Sequence, residues 1–214
     1  MIVELSHRIV DGMITYPGIP APKLGVHLSR EASRELYAPG TEFHIGTIAL
    51  AANTGTYLDT PFHRYADGPD LSQVPLSSLA DLPGLVVRGG PGREVTIDED
   101  LDVRGRAVLI HTGWDRHFGT DAYLHGHPYL APASARWLAE QGVALVGIDS
   151  LNLDDTPPHG ERPAHSILLK AGIPLVEHMT GLSALPPDGF RFHAAPPMVA
   201  GLGTFPVRAY AVVP

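Results

Sequence analysis

The stretch Pro132-Ala133-Ser134-Ala135-Arg136-Trp137-Leu138-Ala139-Glu140-Gln141-Gly142-Val143-Ala144-Leu145-Val146-Gly147-Ile148-Asp149 decides the fold class. Its first ten residues are rich in alanine and open on a proline. The fixed φ and missing N–H of proline suit a first helical turn, and Gly142 supplies the left-handed stop. Ala144 to Ile148 is a short apolar run ending in Asp149, which predicts a buried strand. A helix feeding a buried strand is the repeating unit of an α/β sheet. The unit returns downstream. Pro163 to Lys170 predicts a short helix closed by Gly172, and Ile173-Pro174-Leu175-Val176 a strand ending at Glu177.

Working outward, Leu85-Val86-Val87 and Arg106 to Ile110 are apolar runs bounded by glycine and predict two more buried strands. Ile2 to Leu5 predicts a short first strand. Phe43 to Leu50 alternates in a way that predicts a strand with one face more buried. Val207 to Val213 predicts a final strand. Strands outnumber helices, so the expected class is α/β or α+β: a single domain over residues 1–214, with a mixed sheet and flanking helices. The proline-rich loop from Leu153 to Pro163 is longer than the usual connection of about 4–6 residues, which marks it as a cover for a site.

Composition narrows the chemistry. Gly and Pro make up about a fifth of the 214 residues, above average usage but below the ~25–30% that signals disorder. The hydrophobic share of 44% is enough for a sizeable core. A net charge of −8 and the lack of any basic run argue against nucleic acid and anionic membranes as partners. No apolar run is long enough for a membrane span, and the first residues show no signal-peptide pattern. The chain has no cysteine, which excludes disulfides, thiolate nucleophiles and Cys-ligated metals, and fits a cytoplasmic location. Histidine, at 12 residues, is the chemically versatile side chain in surplus.

The densest chemical cluster is Asn53-Thr54-Gly55-Thr56-Tyr57-Leu58-Asp59-Thr60-Pro61-Phe62-His63. Asp59 offers oxygen to a hard or borderline metal. Histidine exchanges protons near neutral pH, so His63 is a candidate general acid and base. A turn aspartate that caps backbone amides fits the same residues. A second cluster, His165 and Glu177, lies at a helix start and the end of the next strand, positions that share one sheet edge in α/β sites. A surface histidine and a solvated glutamate fit equally well. Asp149, at another strand end, is a third acidic candidate or a cap for the following loop.

From about Leu5 to Tyr210 the chain resembles the cyclase family of bacterial kynurenine formamidases and isatin hydrolases, which are metal-dependent amide hydrolases. The resemblance rests on Glu4-Leu5-Ser6-His7, Tyr16-Pro17-Gly18, His111-Thr112-Gly113-Trp114, Ile148-Asp149-Ser150, the run from His165 to Glu177, and Pro206-Val207-Arg208-Ala209. It implies the cyclase-like swivelling β/β/α fold with a barrel-like core. The family signature reads H-x-G-T-H-x-D-x-P-x-H. Here Asn53 and Tyr57 stand at its first two histidine positions, while Thr54, Gly55, Thr56, Asp59, Pro61 and His63 match.

Carried over residue by residue, the resemblance leaves Asp59, His165 and Glu177 as one intact metal set, with the other site deprived of both nitrogen ligands. Asn53 is a poor neutral ligand and Tyr57 a high-pKa one. The expectation is therefore one divalent ion, zinc or manganese, or none. Such an ion polarises a carbonyl and acidifies water. His63 matches the family's catalytic histidine. Tyr57 either hydrogen-bonds a substrate carbonyl or packs into the space of the lost metal with its hydroxyl on a water or carboxylate. Tyr16, Asn53 and Trp114 are the expected substrate contacts. His7 and His111 are expected to hold turns, and His127 to lie on the surface.

The expected activity is hydrolysis of a small amide, formamide or cyclic amide, a C–N bond other than a peptide bond. A cyclase, dehydratase or isomerase acting without net hydrolysis is one alternative, and a metal-free binding protein on the same fold is another. The resemblance also implies a homodimer or homotetramer, with a small molecule as the only other partner.

Overall fold

Four parallel strands form the centre of the sheet because their residues are apolar on both faces. The computed structural model describes residues 1–214. In chain order the strands are β1 (Ile2–Glu4), β2 (Lys23–Leu28), β3 (Ile45–Ala49), β4 (Tyr57–Asp59), β5 (Leu82–Arg88), β6 (Glu94–Val95), β7 (Ala107–His111), β8 (Tyr129–Leu130), β9 (Leu145–Ile148), β10 (Leu175–Glu177), β11 (Arg191–His193), β12 (Thr204–Pro206) and β13 (Tyr210–Val212). The helices are α1 (Arg30–Ser33), α2 (Pro132–Gln141) and α3 (Pro163–Lys170). Nine strands join in the order β1-β13-β11-β5-β7-β9-β10-β4-β12 and curl into a half-barrel, a mixed α/β architecture.

Strands β5, β7, β9 and β10 run parallel, and antiparallel strands extend the sheet on both sides. The side-chain period of two then divides the core. Val108, Ile110, Val146 and Ile148 face Ala135 and Leu138 of α2 and Ala164, Leu168 and Leu169 of α3. Leu109 and Leu145 face the opposite cluster, with Leu58, Met179, Phe190 and Phe192. Each buried Val, Leu, Ile, Phe or Met among them contributes about 1.5–3 kcal/mol. A one-residue slip would exchange the two faces, so burial selects the register.

The two helix–strand units form as the sequence predicts. Pro132 starts α2, and Gly142 ends it at φ 73°. Pro163 starts α3, whose Arg162 cap position gives no side-chain hydrogen bond. The carboxylate of Asp154 replaces that cap from the preceding loop, accepting the N–H of Ala164 at 2.6 Å and of His165 at 3.0 Å. No helix is long and apolar enough to cross a membrane.

Two sequence expectations need correction. The predicted strand at Phe43 to Leu50 forms as β3, but it has no buried face. It pairs only with β2, and Leu24, Val26, Ile45 and Ile48 of this ribbon are exposed, Ile48 at 67%. Alternation shows that a strand has two unlike faces, not that the chain's own core covers one. The predicted final strand at Val207 to Val213 forms only over Tyr210–Val212, and a separate strand that the sequence did not announce, Thr204–Pro206, precedes it. Thr204–Pro206 pairs with β4 at one end of the sheet, and Tyr210–Val212 pairs with β1 and β11 at the other. The intervening residues cross between them, and Ala209 donates to Ser6 Oγ there.

Candidate active site

Strands β10 and β4 pair antiparallel with Glu177 opposite Tyr57 and Leu175 opposite Asp59, so Tyr57, Asp59 and Glu177 share one face. That face is the one α3 covers, and His165 in the first turn of α3 comes down on it. Its Nε2 lies 3.8 Å from Asp59 Oδ2 and 3.5 Å from Glu177 Oε1. One ligand atom from each of Asp59, His165 and Glu177 lies within 4.8 Å of the others, and all three residues are buried. The two clusters, separate by spacing alone and grouped only through the family resemblance, lie together at one place in the fold.

The donor set fits a divalent cation. Asp59 Oδ2 is buried and makes no hydrogen bond, which is costly for a carboxylate oxygen unless a ligand completes it. His165 donates Nδ1–H to Asp154 Oδ2 at 2.7 Å, which leaves the Nε2 lone pair facing the two carboxylates. Burial disfavours charge on His165, yet Glu177, Asp154 and Asp59 together raise its pKa well above the ordinary imidazole value. Burial first, then the negative charge of Asp59, pushes Glu177 up to about 7, with His165 opposing. Both shifts show the same field: a dry cluster of acidic groups that attracts positive charge. Two oxygens and one imidazole nitrogen suit zinc or manganese.

Glu177 is held from all sides. Its Oε1 accepts the N–H of Leu153 at 2.6 Å. Its Oε2 accepts from the Tyr57 hydroxyl at 2.8 Å and from Asn152 Nδ2 at 3.2 Å. Burial and the neighbouring Glu177 and Asp59 charges raise Tyr57 well above 10, so it remains a neutral phenol and a donor. Tyr57 is 2% exposed. Its hydroxyl is engaged with Glu177, as in the packing alternative, and Tyr57 does not line the cavity beside His63 and His165.

His63 follows β4 in a short 3-10 turn, Pro61–His63. Its ring centroid is 6.2 Å from that of His165. Both line a cavity of about 550 Å³ together with Arg64, Asn152, Glu161 and Arg162, and the Pro163 ring is the one apolar side chain in its wall. Glu161 and Arg162 belong to the Leu153–Pro163 loop, which thus forms part of the site. Tyr16, Asn53 and Trp114 do not line this cavity. The indole N–H of Trp114 instead donates to the Tyr123 carbonyl at 3.0 Å.

Other expectations resolve locally. Asp149 is a loop cap: it accepts from Thr112 N–H, the Thr112 hydroxyl and Gly113 N–H at 2.6–2.9 Å. His127 is buried rather than on the surface, with Nε2 on the Asp154 carbonyl at 3.0 Å. The His7 ring holds no turn. It stacks on Phe118 at 3.6 Å, and its buried Nε2 lacks a partner. Burial lowers His7 to about 4, with Asp115 opposing, and lowers its cross-strand neighbour His178 to about 3.

Sequence reading missed Asp154, Asn152, Arg64 and Thr204. The first two sit in the polar run Asn152-Leu153-Asp154-Asp155 directly after a strand, in or beside the loop expected to cover a site. That position was the available signal. Thr204 carried none, because it meets Asp59 only through sheet pairing across 145 residues.

Comparison with known proteins places the chain and its fold in a family. The family model described as "Putative cyclase" matches residues 3–155. A kynurenine formamidase of Geobacillus thermodenitrificans is 31% identical over 97% of this chain and 95% of its own length. One from Bacillus cereus is 24% identical over 97% and 95%. The structure of isatin hydrolase A from Labrenzia aggregata superposes with a TM-score of 0.83 at 22% identity, covering 100% of this chain and 93% of the other. That from Ralstonia solanacearum gives 0.84 at 20%, covering 100% and 92%. A match across the motif segment and the half-barrel, together with a relative sharing nearly a third of its residues along almost the whole length, makes this chain a member of the cyclase family.

Proposed function

We propose that the chain is a metal-dependent hydrolase of a small amide, formamide or cyclic amide. The observation that carries this reading is the convergence of Asp59 Oδ2, His165 Nε2 and Glu177 Oε1, with Asp59 Oδ2 left unpartnered. Relatives named kynurenine formamidase and isatin hydrolase support the reaction class. These three residues would hold a single zinc or manganese ion, which would supply the charge that polarises an amide carbonyl and acidifies water, worth several kcal/mol at the transition state.

The chain's own groups do the rest. His63 stands at the cavity wall with its side chain 35% exposed, open to solvent and substrate. It takes a proton from the attacking water and returns it to the leaving nitrogen as the C–N bond breaks, with net gain of one water. Asn152 Nδ2, Leu153 N–H and Tyr57 Oη fix Glu177, and Asp154 fixes His165, so the ligand geometry is set before substrate arrives. Oε2 accepts from both Tyr57 and Asn152, whereas Oε1 accepts only from Leu153 N–H and keeps a lone pair for a metal.

The test is mass spectrometry of products from formanilide, N-formyl amino acids and isatin, with and without chelation. A ring-opened product heavier than isatin by one water, or an amine and formate whose summed mass exceeds the formamide's by one water, lost on chelation and regained with zinc or manganese, supports the reading. A product of unchanged mass or lighter by one water supports cyclisation or dehydration instead. No turnover and no metal uptake support a binding protein.

A homodimer or homotetramer completes the proposal. A two-stranded ribbon is marginal alone in water, and β2 and β3 leave Leu24, Val26, Ile45 and Ile48 exposed without cover from their own chain. We assign that ribbon to a second copy of this chain. Light scattering at the mass of one 22.9 kDa chain would overturn the assignment.

A further inference from the structure

We propose that Thr204 is a positioning residue that selects the proton-bearing nitrogen of His63 and ties it to Asp59. The inference rests on the reading above only for the role of His63; the geometry stands independently. Thr204 lies directly opposite Asp59 in the β12–β4 pairing and is 3% exposed. Its hydroxyl donates to Asp59 Oδ1 and lies 2.8 Å from His63 Nδ1. Asp59 Oδ1 and His63 Nδ1 are themselves 3.6 Å apart, too far for a direct hydrogen bond.

The donor inventory fixes the direction of this chain. An ionised carboxylate only accepts, so the single hydroxyl proton of Thr204 goes to Asp59. The Thr204 oxygen is then the acceptor, and His63 must supply Nδ1–H. In the neutral ring this places the lone pair on Nε2, the nitrogen free to act on water and leaving group. The hydroxyl is the one side-chain hydrogen-bond partner of the His63 ring. The arrangement uses the logic by which a buried acid holds a catalytic imidazole in one tautomer, with a hydroxyl interposed and the acid shared with the metal site.

The backbone is shaped for this contact. Gly203 accepts Thr60 N–H at 2.7 Å, and a Cβ on Gly203 would lie 2.2 Å from His63 N. Only glycine permits the approach that carries the Thr204 hydroxyl to the ring.

The experiment uses the full-length, metal-replete protein with ¹⁵N-labelled histidine, at mildly alkaline pH, where ring-nitrogen shifts report the tautomer. Wild type is expected to show His63 as the Nδ1–H form. Thr204→Val keeps the branched shape and removes the hydroxyl, so the ring should revert to the Nε2–H form preferred by free imidazole. Thr204→Ser should restore Nδ1–H. With formanilide as probe, Thr204→Val should lower kcat by about 100-fold with KM little changed, and Thr204→Ser should recover most of it. An Nε2–H ring in wild type, or an unchanged tautomer in Thr204→Val, overturns the proposal. The wild-type and Thr204→Ser spectra decide it even if Thr204→Val fails to fold. A correct tautomer in a protein that hydrolyses nothing would refute the hydrolase reading while leaving this one standing.

Discussion

Asp154 Oδ2 accepts the Nδ1–H of His165 at 2.7 Å while the same carboxylate caps α3 through Ala164 and His165 N–H. One side chain thus starts the helix and orients the ligand that the helix carries. Replacing Asp154 by Asn keeps an oxygen for the cap, at nearly equal capping strength, but removes the negative charge behind the imidazole. Outer partners of this kind are typically worth 10–100-fold in metal affinity. Asp154→Asn should therefore weaken zinc binding by about that factor in calorimetry while the chelated protein melts near the wild-type temperature. Equal affinities would show that Asp154 is only a cap.

Metal should stabilise the fold because its ligands come from β4, α3 and β10 and meet only in the native state. At a free metal concentration ~100 times Kd the gain is about 2.7 kcal/mol. For a chain of this size that raises Tm by roughly 5–10 °C. Asp59→Ala should abolish the rise. Differential scanning calorimetry with zinc, manganese and chelator makes the comparison, and a Tm that ignores metal would remove the basis for the proposed site.

Tyr57 hydrogen-bonds Glu177 Oε2, the oxygen that a second ion would need. Restoring nitrogen ligands through Asn53→His together with Tyr57→His should remove the shorter of the two hydrogen bonds on that oxygen and raise metal content from one ion per chain to two, measured by elemental analysis after desalting. A content that stays at one would mean that the two positions do not define a second site.

His7 supplies a pH dependence away from the metal. Burial holds its folded pKa at about 4, with Asp115 opposing, against 6.5 unfolded. The unfolded chain therefore binds more protons between these values. The contribution to stability is fully present above 6.5 and is lost as pH falls toward 4. The neutral neighbour His178 acts in the same sense. At pH 5 the His7 part amounts to roughly 1–2 kcal/mol. Urea unfolding of wild type and His7→Gln at pH 8 and pH 5 should show a smaller loss in the variant. Equal losses would place the acid sensitivity elsewhere.

The sequence by itself determined the parts whose cause is local. Proline at a helix start, glycine at its end and unbroken apolar runs specify α2, α3, β7 and β9 nearly to the residue, since each signal acts within a turn or along one strand. The motif positions likewise named Asp59, His63, His165 and Glu177. The resemblance grouped the three ligands, but only the tertiary structure supplied the physical means, because antiparallel pairing of β10 with β4 and the packing of α3 bring side chains from distant segments onto one face. It also decided what the neighbours do: Asp154 supports His165, Tyr57 donates to Glu177, and Thr204 joins Asp59 to His63. A threonine in a strand or an aspartate in a loop reads the same wherever it stands. Its role arises from the partner it meets, and sheet register and helix packing choose that partner.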